Sequence, residues 1–385
     1  MHMADALLSP AVAGGMYACS LVAAGYALRK VQQERNDKIL PVMGVMGAFV
    51  FAAQMLNFTI PGTGSSGHLC GGMLLAAVVG PYAAFLTMIG VLLIQCLLFA
   101  DGGLLALGAN IWNMAFYGCF VGGGVIWALA MRSGMTRTKI IIASVLGSVL
   151  SLQLGAFSVS VETLLSGITQ LPFAAFLLFM QPIHLAIGLV EGAITVAVLV
   201  FLFAARPSLL WCAEESESAS SVSLKNVLAI MGAAAVVLAG GLSLLASELP
   251  DGLEWSLERM TGSTELESAD SSVYALSEAV QSVTALLPDY NFAGSESAAG
   301  TSFAGVVGAV IVMLLILAGG IGNLIDRVAN HMVVDYLDVQ FMTFAVFNFA
   351  DVCVCTGVGL LILSLILEEV HAHSAKHEDE NHGDT

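Results

Sequence analysis

The feature that most constrains this chain is a series of uncharged apolar runs, each about 20 residues long, that recur along most of the sequence. A helix of that length crosses the hydrocarbon core of a bilayer, which is about 30 Å thick. Only 11% of the 385 residues are charged and 58% are hydrophobic, so the chain has too little polar surface to cover a soluble globule. The sequence therefore predicts an all-α fold, a polytopic helical membrane protein.

The apolar runs predict about seven spans in a first unit and about three more after it. The predicted spans of the first unit are 10–28, 41–56, 68–80, 81–100, 104–131, 139–160 and 172–204. Two later spans cover 226–247 and 302–321, and a final one ends near 367. The run from 68 to 100 is divided at Gly80-Pro81, because one helix over that length would measure about 50 Å.

Orientation is predicted from Lys and Arg in the short loops. The loops at 29–38 and 132–139 are rich in both residues, so we expect them to face the cytoplasm. The N-terminus and the loop that contains His68 then lie together on the outside of the membrane. No basic region or small-residue cleavage site precedes the first apolar run, so we expect Met1 to remain in the mature protein.

Composition divides the chain into five segments. They are a first membrane unit over 1–204, a Ser-rich cytoplasmic linker over 205–225, a second unit over 226–321, a further segment over 322–367 and a tail over 368–385. The second unit contains an outside segment of about fifty residues between its spans. The net charge of −17 comes largely from acids in the linker, outside segment and tail, so we predict no nucleic-acid partner. The tail histidines either bind metal or belong to a solvated tail.

The first two residues, Met1 and His2, form a chelating sequence. The terminal amine, the deprotonated amide of His2 and its Nδ1 atom place three nitrogens around one ion, and an imidazole from His68 would supply the fourth. Square-planar nitrogen ligation is typical of Ni(II) and Cu(II) and accessible to Co(II). In the alternative interpretation, His2 is an incidental exposed residue and His68 a loop residue bonded to backbone. The residues predicted to orient the ligands are Asn57, Ser65, Ser66 and Asn110.

Several polar residues lie within the apolar runs, where uncompensated burial is costly. They are Gln95, Asn110, Asn113, His184 and Glu191. His184 and Glu191 share one helix face. A hydrogen bond between helices explains them, and so does a task at the site.

Four stretches, MHMADALLSP, NFTIPGTGSSGHLCGG, QCLLFADGGLLALGANIWNM and HLAIGLVEG, resemble the substrate-binding component of cobalt/nickel energy-coupling-factor (ECF) transporters, the CbiM/NikM type. The resemblance covers residues 1 to about 204. It implies that Met1, His2 and His68 bind Co(II) or Ni(II) as the transported substrate, which supports cobalamin biosynthesis or nickel enzymes.

The stretch that contains PDGLE resembles the small CbiN/NikN accessory subunit, over about 225–320. The transporter family implies ATPase subunits and a coupling membrane subunit as partners. The sequence contains no G-x-x-x-x-G-K-[ST] motif, so we expect the ATPase to be a separate chain. A metal sensor or receptor is a further interpretation of the same site.

A second resemblance covers 319–365, where GNLIDR, VVDYLD and FNFAD are similar to the C-terminal part of lipoprotein signal peptidase (signal peptidase II). It implies a membrane aspartic endopeptidase with catalytic Asp335 and Asp351, supported by Asn323, Arg327 and Asn348. Two carboxylates that share a proton can activate water. The front half of that family has no counterpart in the sequence, and the predicted topology places Asp335 in the cytoplasm. We therefore expect an inactive fragment.

Overall fold

A computed structural model of the chain describes residues 1–34, 39–213, 222–268, 271–294 and 297–330, the last part, 318–330, as backbone alone. The larger of two compact units consists of Met1–Ala269 and Ser277–Leu317. All contacts given below lie within this larger unit.

Helices dominate the described residues. In chain order they are α1 (Pro10–Glu34), α2 (Ile39–Gln54), α3 (Gly72–Val79), α4 (Pro81–Phe99), α5 (Leu107–Met131), α6 (Arg137–Leu165), α7 (Phe173–Ala205), α8 (Leu224–Gly240), α9 (Gly252–Thr261), α10 (Ser272–Thr284) and α11 (Ala298–Asn330). Short 3-10 turns cover Asp5–Leu7, Pro207–Leu209, Leu242–Leu245 and Pro288–Tyr290. The central part of α5, Ile111–Trp127, has π-helical hydrogen bonding.

Six of these helices are long and apolar enough to cross a membrane. They are α1, α4, α5, α6, α7 and the Ala298–Leu317 part of α11, while α2 and α8 are shorter apolar helices. The prediction of an all-α, multi-pass membrane protein is confirmed. The predicted final span lies largely outside the described residues.

The residues of the signal-peptidase resemblance fall at the edge of the described chain. Asn323 and Arg327 lie on the last turns of α11. Asp335, Asn348 and Asp351 lie outside the described residues, as do the tail histidines.

The predicted break between the third and fourth spans lies at Gly80-Pro81, as the sequence indicated. Gly80 has a φ of +81°, a conformation that favours glycine, and Pro81 is the first residue of α4. The helix before the break, α3, has only 8 residues. It measures about 12 Å, which is too short to cross a bilayer alone.

A non-helical, largely buried loop precedes α3 and adds to the length of chain inside the protein. The backbone amides of Cys70 and Gly71 donate to the carboxylate of Glu191, midway along α7. At the other end of α3, the Trp211 amide, which follows α7, donates to the carbonyl of Ala77 at 2.8 Å. The loop and α3 together therefore run from the middle of α7 to its C-terminal end. Irregular backbone is tolerated at this depth because protein surrounds it.

The same loop begins with an antiparallel hairpin, β1 (Phe58–Ile60) and β2 (Ser65–Gly67), in which Thr59 pairs with Ser66. Residues of the second unit extend it. The Ser66 amide donates to the carbonyl of Pro250, and the Ser247 amide donates to that of Asn57, both at 2.8 Å. The PDGLE segment is therefore hydrogen-bonded to the loop that contains His68.

An apolar cluster joins residues 287–312, from the segment that follows PDGLE, to α2 and α4. Its buried members are Ala48, Phe51, Val91, Phe99, Leu287, Ala304, Ala309 and Val312. The ring of Tyr290 stacks on Phe99 with centroids 4.6 Å apart. Burial of this apolar surface stabilises the packing of these later residues against α2 and α4.

Candidate metal centre

The first residues of the chain fold back onto the start of α5. The Met3 amide donates to Asn110 Oδ1 at 2.7 Å, and Asn110 Nδ2 donates to the Met3 carbonyl at 3.1 Å. The Gly103 amide donates to the same carbonyl at 2.9 Å, and the Ala106 amide donates to Asp5 Oδ1. These bonds fix the chain on both sides of Met3, so the terminal amine is held inside the protein.

The Met1 amine lies 2.9 Å from Nε2 of His68 and also contacts the carboxylate of Asp251. Nδ1 of His68 lies 3.1 Å from the carbonyl of Leu69. A carbonyl only accepts, so Nδ1 carries the hydrogen and Nε2 presents its lone pair to the amine. Two nitrogens at right angles around a metal, with bonds of about 2.0–2.1 Å, are about 2.9 Å apart. Amine and imidazole therefore lie as neighbouring ligands would.

His2 lies against His68 with its ring stacked at a centroid distance of 5.3 Å. Its Nδ1 atom is 3.0 Å from Asp101 Oδ1, and its Nε2 atom is 3.3 Å from Gln95 Oε1. The structure thus brings together all three predicted ligand residues. The Nδ1 atom of His2 that the chelate needs is paired with a carboxylate.

A chain of side-chain amides fixes which nitrogen of His2 can bind metal. Gln54 Nε2 donates to the Cys70 carbonyl at 2.8 Å, which leaves its Oε1 to accept from Gln95 Nε2 at 2.9 Å. The free Oε1 of Gln95 must then accept from Nε2 of His2. Nδ1 is consequently the ring atom left for an ion once it loses its proton. Such partners commonly set the tautomer of ligating histidines.

Burial and charge determine the protonation of the Met1 side. Burial is the largest single effect and lowers the pKa of the Met1 amine, but Asp251 and other nearby acidic groups together raise this pKa by more, so the net pKa lies above 8.0. Burial lowers the pKa of His68 below 6.5, and the amine lowers it further. Burial raises the pKa of Asp251, yet the amine and His68 bring it well below its usual range. At neutral pH the group is therefore an ammonium, a neutral imidazole and a carboxylate.

Asp251 has two roles in one side chain. Its Oδ1 atom accepts from the amides of Leu253 and Glu254 and caps α9, while Glu254 Oε2 accepts from the Asp251 amide in a reciprocal capping box. Its Oδ2 atom remains for the Met1 amine. Because the cap fixes one oxygen, the other is held at the site.

Gly252 allows this close approach. A Cβ atom at this position would lie 2.8 Å from Ile187 Cδ1 and 3.2 Å from His184 Nε2, both on α7. Any larger residue would push the start of α9 away from α7. Asp251 would move with it.

The residues predicted to orient the ligands divide into two groups. Asn110 holds the N-terminal segment through Met3. Ser66 Oγ donates to the Leu249 carbonyl at 2.7 Å, and Ser65 Oγ donates to the carbonyl of Ser66 at 3.0 Å. The Asn57 carbonyl binds Ser247, as described above. These three residues therefore lie at the contact between the hairpin and the PDGLE segment.

The second unit also reaches the His2 side. The Tyr290 hydroxyl donates to Asp101 Oδ2. Gln281 Nε2 donates to the carbonyls of Cys96 and Gly102, at 3.1 and 2.9 Å. These bonds fix the turn that carries Asp101.

Sequence reasoning missed Asp251, Asp101 and Gln54. The D-x-x-E pattern within PDGLE, in a segment predicted to lie on the same side as Met1, was the available signal for Asp251. Within the described residues, no three His, Cys, Asp or Glu side chains lie close enough to hold an ion. That agrees with a donor set in which two nitrogens, the amine and the His2 amide, belong to the main chain.

Comparison with known proteins gives the family. The family model described as the cobalt uptake substrate-specific transmembrane region, CbiM, matches residues 2–209. The chain belongs to the CbiM family. In this CbiM-family chain a PDGLE domain matches residues 225–327, and a model described as signal peptidase (SPase) II matches 302–367. The predicted fusion of a CbiM/NikM unit with a CbiN/NikN-like segment is confirmed.

Relatives of this CbiM-family chain include fused proteins. One from Archaeoglobus fulgidus, named as a fused nickel transport protein NikMN, is 37% identical over 315 residues and covers 82% of this chain and 96% of its own. One from Lactiplantibacillus plantarum, named as a fused nickel transport protein LarMN, is 30% identical over 335 residues, or 83% and 97%. The cobalt transport protein CbiM of Sorangium cellulosum is 31% identical and covers 54% of this chain and 94% of its own.

A solved structure described as a truncated transition metal transporter is 32% identical to this CbiM-family chain. It covers 53% of this chain and 98% of its own, with a TM-score of 0.47.

Proposed function

We propose that this chain captures Ni(II) or Co(II) outside the cell and imports it as the substrate-binding component of an ECF-type transporter. The N-terminus faces outward in the cell membrane. The observation that carries the proposal is the buried pair formed by the Met1 amine and Nε2 of His68, 2.9 Å apart and beside His2. The names of the relatives from three organisms support the same transport function.

Capture of the ion removes protons from the chain. The Met1 amine, the His2 amide and Nδ1 of His2 each lose one, and the His2 ring leaves Asp101 to complete the chelate. Nε2 of His68 already carries a lone pair and supplies the fourth nitrogen. Both Ni(II) and Co(II) accept four nitrogens in a plane, so this donor set serves either metal.

Release into the cell requires partner subunits. We propose that separate ATPase subunits and a coupling membrane subunit supply the energy, since the sequence lacks a Walker A motif. The apolar helices support a location in membrane lipid.

The proposal is tested by the metal content of the purified full-length chain. Wild type should retain about one Ni(II) or Co(II) per chain, and His2→Ala should lose it. His68→Ala should weaken binding about 10- to 100-fold or more, comparable with or larger than the loss of a ligand-orienting residue. His371→Ala, in the tail, is the matched histidine control and should bind as wild type does. Retention of the ion by His2→Ala together with its loss in the tail variant would reject the site.

An aspartic endopeptidase is the second candidate function, favoured by the family match over 302–367. It requires Asp335 and Asp351. Cleavage of a prolipoprotein by the wild type and its loss in Asp335→Asn or Asp351→Asn would establish that activity. Metal uptake should be the same in both variants, because neither residue belongs to the proposed metal site.

A further inference from the structure

His184 has the hydrogen-bonding pattern of a metal-binding histidine, but its Nε2 atom has no partner among the described residues. It lies on α7 with its side chain 1% exposed. Its Nδ1 atom is 2.7 Å from the Met180 carbonyl of the preceding turn. Because that carbonyl only accepts, Nδ1 carries the hydrogen and Nε2 carries a lone pair. Nε2 is buried, and the described residues give it no hydrogen-bond partner.

The side chain of His184 lines a cavity that it shares with residues of the proposed metal site. A small cavity, with room for roughly one water molecule or ion, is lined by Met1, His68, His184, Asp251 and Gly252 among others. The start of α9 covers it, since Gly252 lies directly beside Nε2 of His184. A buried polar atom without a partner is uncommon, and this one borders the donor atoms of the site.

His184 and His68 are arranged alike. Each donates Nδ1–H to a backbone carbonyl, Met180 for one and Leu69 for the other, and both side chains line the same cavity. A backbone carbonyl on the far ring nitrogen is the usual support of a ligating histidine. Nε2 of His68 has the Met1 amine as its partner, whereas Nε2 of His184 has no hydrogen-bond partner among the described residues.

We propose that His184 is a staging ligand that binds Ni(II) or Co(II) before the four-nitrogen plane closes. The inference rests on the proposed function. The plane cannot be complete when an ion arrives, because the His2 amide still carries its proton and Nδ1 of His2 is paired with Asp101. Nε2 of His184 already carries its lone pair and needs no deprotonation. The carboxylate of Asp251 in the same cavity supplies negative charge beside the ion.

The step is a ligand exchange. Nε2 of His184 displaces one water from the hydrated ion, and His184 neither gains nor loses a proton. The ion then passes to the Met1 amine, the His2 amide and the two other imidazoles, which release their displaced protons to water, and Nε2 of His184 becomes free again. The staged ion keeps water as its remaining ligands.

Rapid mixing of the metal-free full chain with Ni(II) tests the proposal through the absorbance of the planar Ni(II)–amide complex. In His184→Ala we expect this band to form at least tenfold more slowly, with the same final spectrum and one ion per chain. His184→Gln keeps a side-chain donor for Met180 but lacks imidazole, so it should be equally slow. Thr195→Val is the control, because its hydroxyl is also buried without a described partner on α7.

The outcomes separate this proposal from the proposed function. Wild-type rates in both His184→Ala and His184→Gln overturn the staging role while the planar site stands. A wild-type rate restored by glutamine alone shows that His184 acts through its bond to Met180 and also overturns it. A wild type that forms no planar complex rejects the proposed function itself, and the staging role with it. Slow formation of the planar complex in Thr195→Val would show that altered packing of α7 causes the delay. It would reject ligation by the His184 imidazole.

Discussion

The two sides of the proposed metal site differ in how near they are to the bound arrangement. On the Met1 side, the amine and Nε2 of His68 already have the separation of neighbouring ligands. On the His2 side, Nδ1 is turned to Asp101, and a line of amides through Gln95 holds the ring in that position. One side needs only to lose a proton, whereas the other must also move a side chain.

The two sides therefore contribute differently to metal binding. The terminal amine on the Met1 side is a ligand of the chelate itself, so its loss should abolish tight binding. Gln95 and Asp101 on the His2 side only hold the ligand ring in place, so their replacement should change affinity by smaller factors and in either direction.

Addition of two glycines before Met1 should abolish tight binding. The extension replaces the terminal amine by an amide and so removes one of the three chelating nitrogens. Two glycines are used because one would make His2 the third residue, where a terminal amine, two amides and the imidazole form a new chelate. We expect affinity to fall by about a thousandfold or more. Calorimetric titration with Ni(II) measures it. The same two glycines added after Thr385 are the control, and intact mass should show that Met1 is retained in the unextended chain. Stoichiometric binding by the extended chain would contradict the Met1 side as described.

Acidification from pH 8 to pH 6 should weaken binding by about 100-fold or more. The pKa of the Met1 amine lies above 8.0, so the amine is protonated throughout this range and each ion must displace that proton. The pKa of His68 lies below 6.5, so this ring contributes little proton competition above that pH. One displaced proton changes affinity about tenfold per pH unit, and the amide adds to this. An affinity that is constant between pH 6 and pH 8 would exclude the amine as a ligand.

Replacement of Gln95 by leucine should weaken binding about tenfold. The variant removes the acceptor that fixes the tautomer of His2, while the donors themselves remain. Thr87→Val is a matched control on α4, because Thr87 is buried and its hydroxyl bonds within its own helix. A loss as large as that of the glycine extension would show that the two sides are equally critical.

The substitution Asp101→Asn should tighten binding about threefold. A neutral carboxamide would hold Nδ1 of His2 less firmly than the Asp101 carboxylate does, so less free energy is needed to turn the ring to the ion. The Asp101 side chain is 24% exposed, so the contact is partly screened and the effect small. Competition titration against wild type resolves a change of this size. Weaker binding in the variant would show that Asp101 positions His2 for the ion.

Sequence reasoning could locate the long apolar helices and propose the ligand residues because both depend on short stretches of chain. Apolar runs are sufficient to locate helices such as α4 and α7, and a Met-His terminus is a chelate whatever the fold. Orientation from the basic loops then predicted that His68 lies on the same side as Met1. The structure places their nitrogens in contact.

The parts that sequence reasoning missed depend on contacts between distant residues. Asp251 is 250 positions from Met1, and no local pattern predicts which oxygen of a helix cap stays available. Gln95 was noticed as a polar residue in an apolar run, but its role requires Gln54 on another helix. The length of α3 was misjudged because the loop before it is irregular yet buried, and hydrophobicity does not distinguish such a loop from a helix.

The contact between Asp251 and the Met1 amine also bears on why the two units occupy one polypeptide. If the PDGLE segment were a separate subunit, the wall of the cavity would form only at a rate set by the abundance of both chains. Joined through residues 205–225, the segment is present at a fixed local concentration for every N-terminus that is made. Expression level, subunit stoichiometry and dilution in the membrane then have no influence on whether a given site is covered.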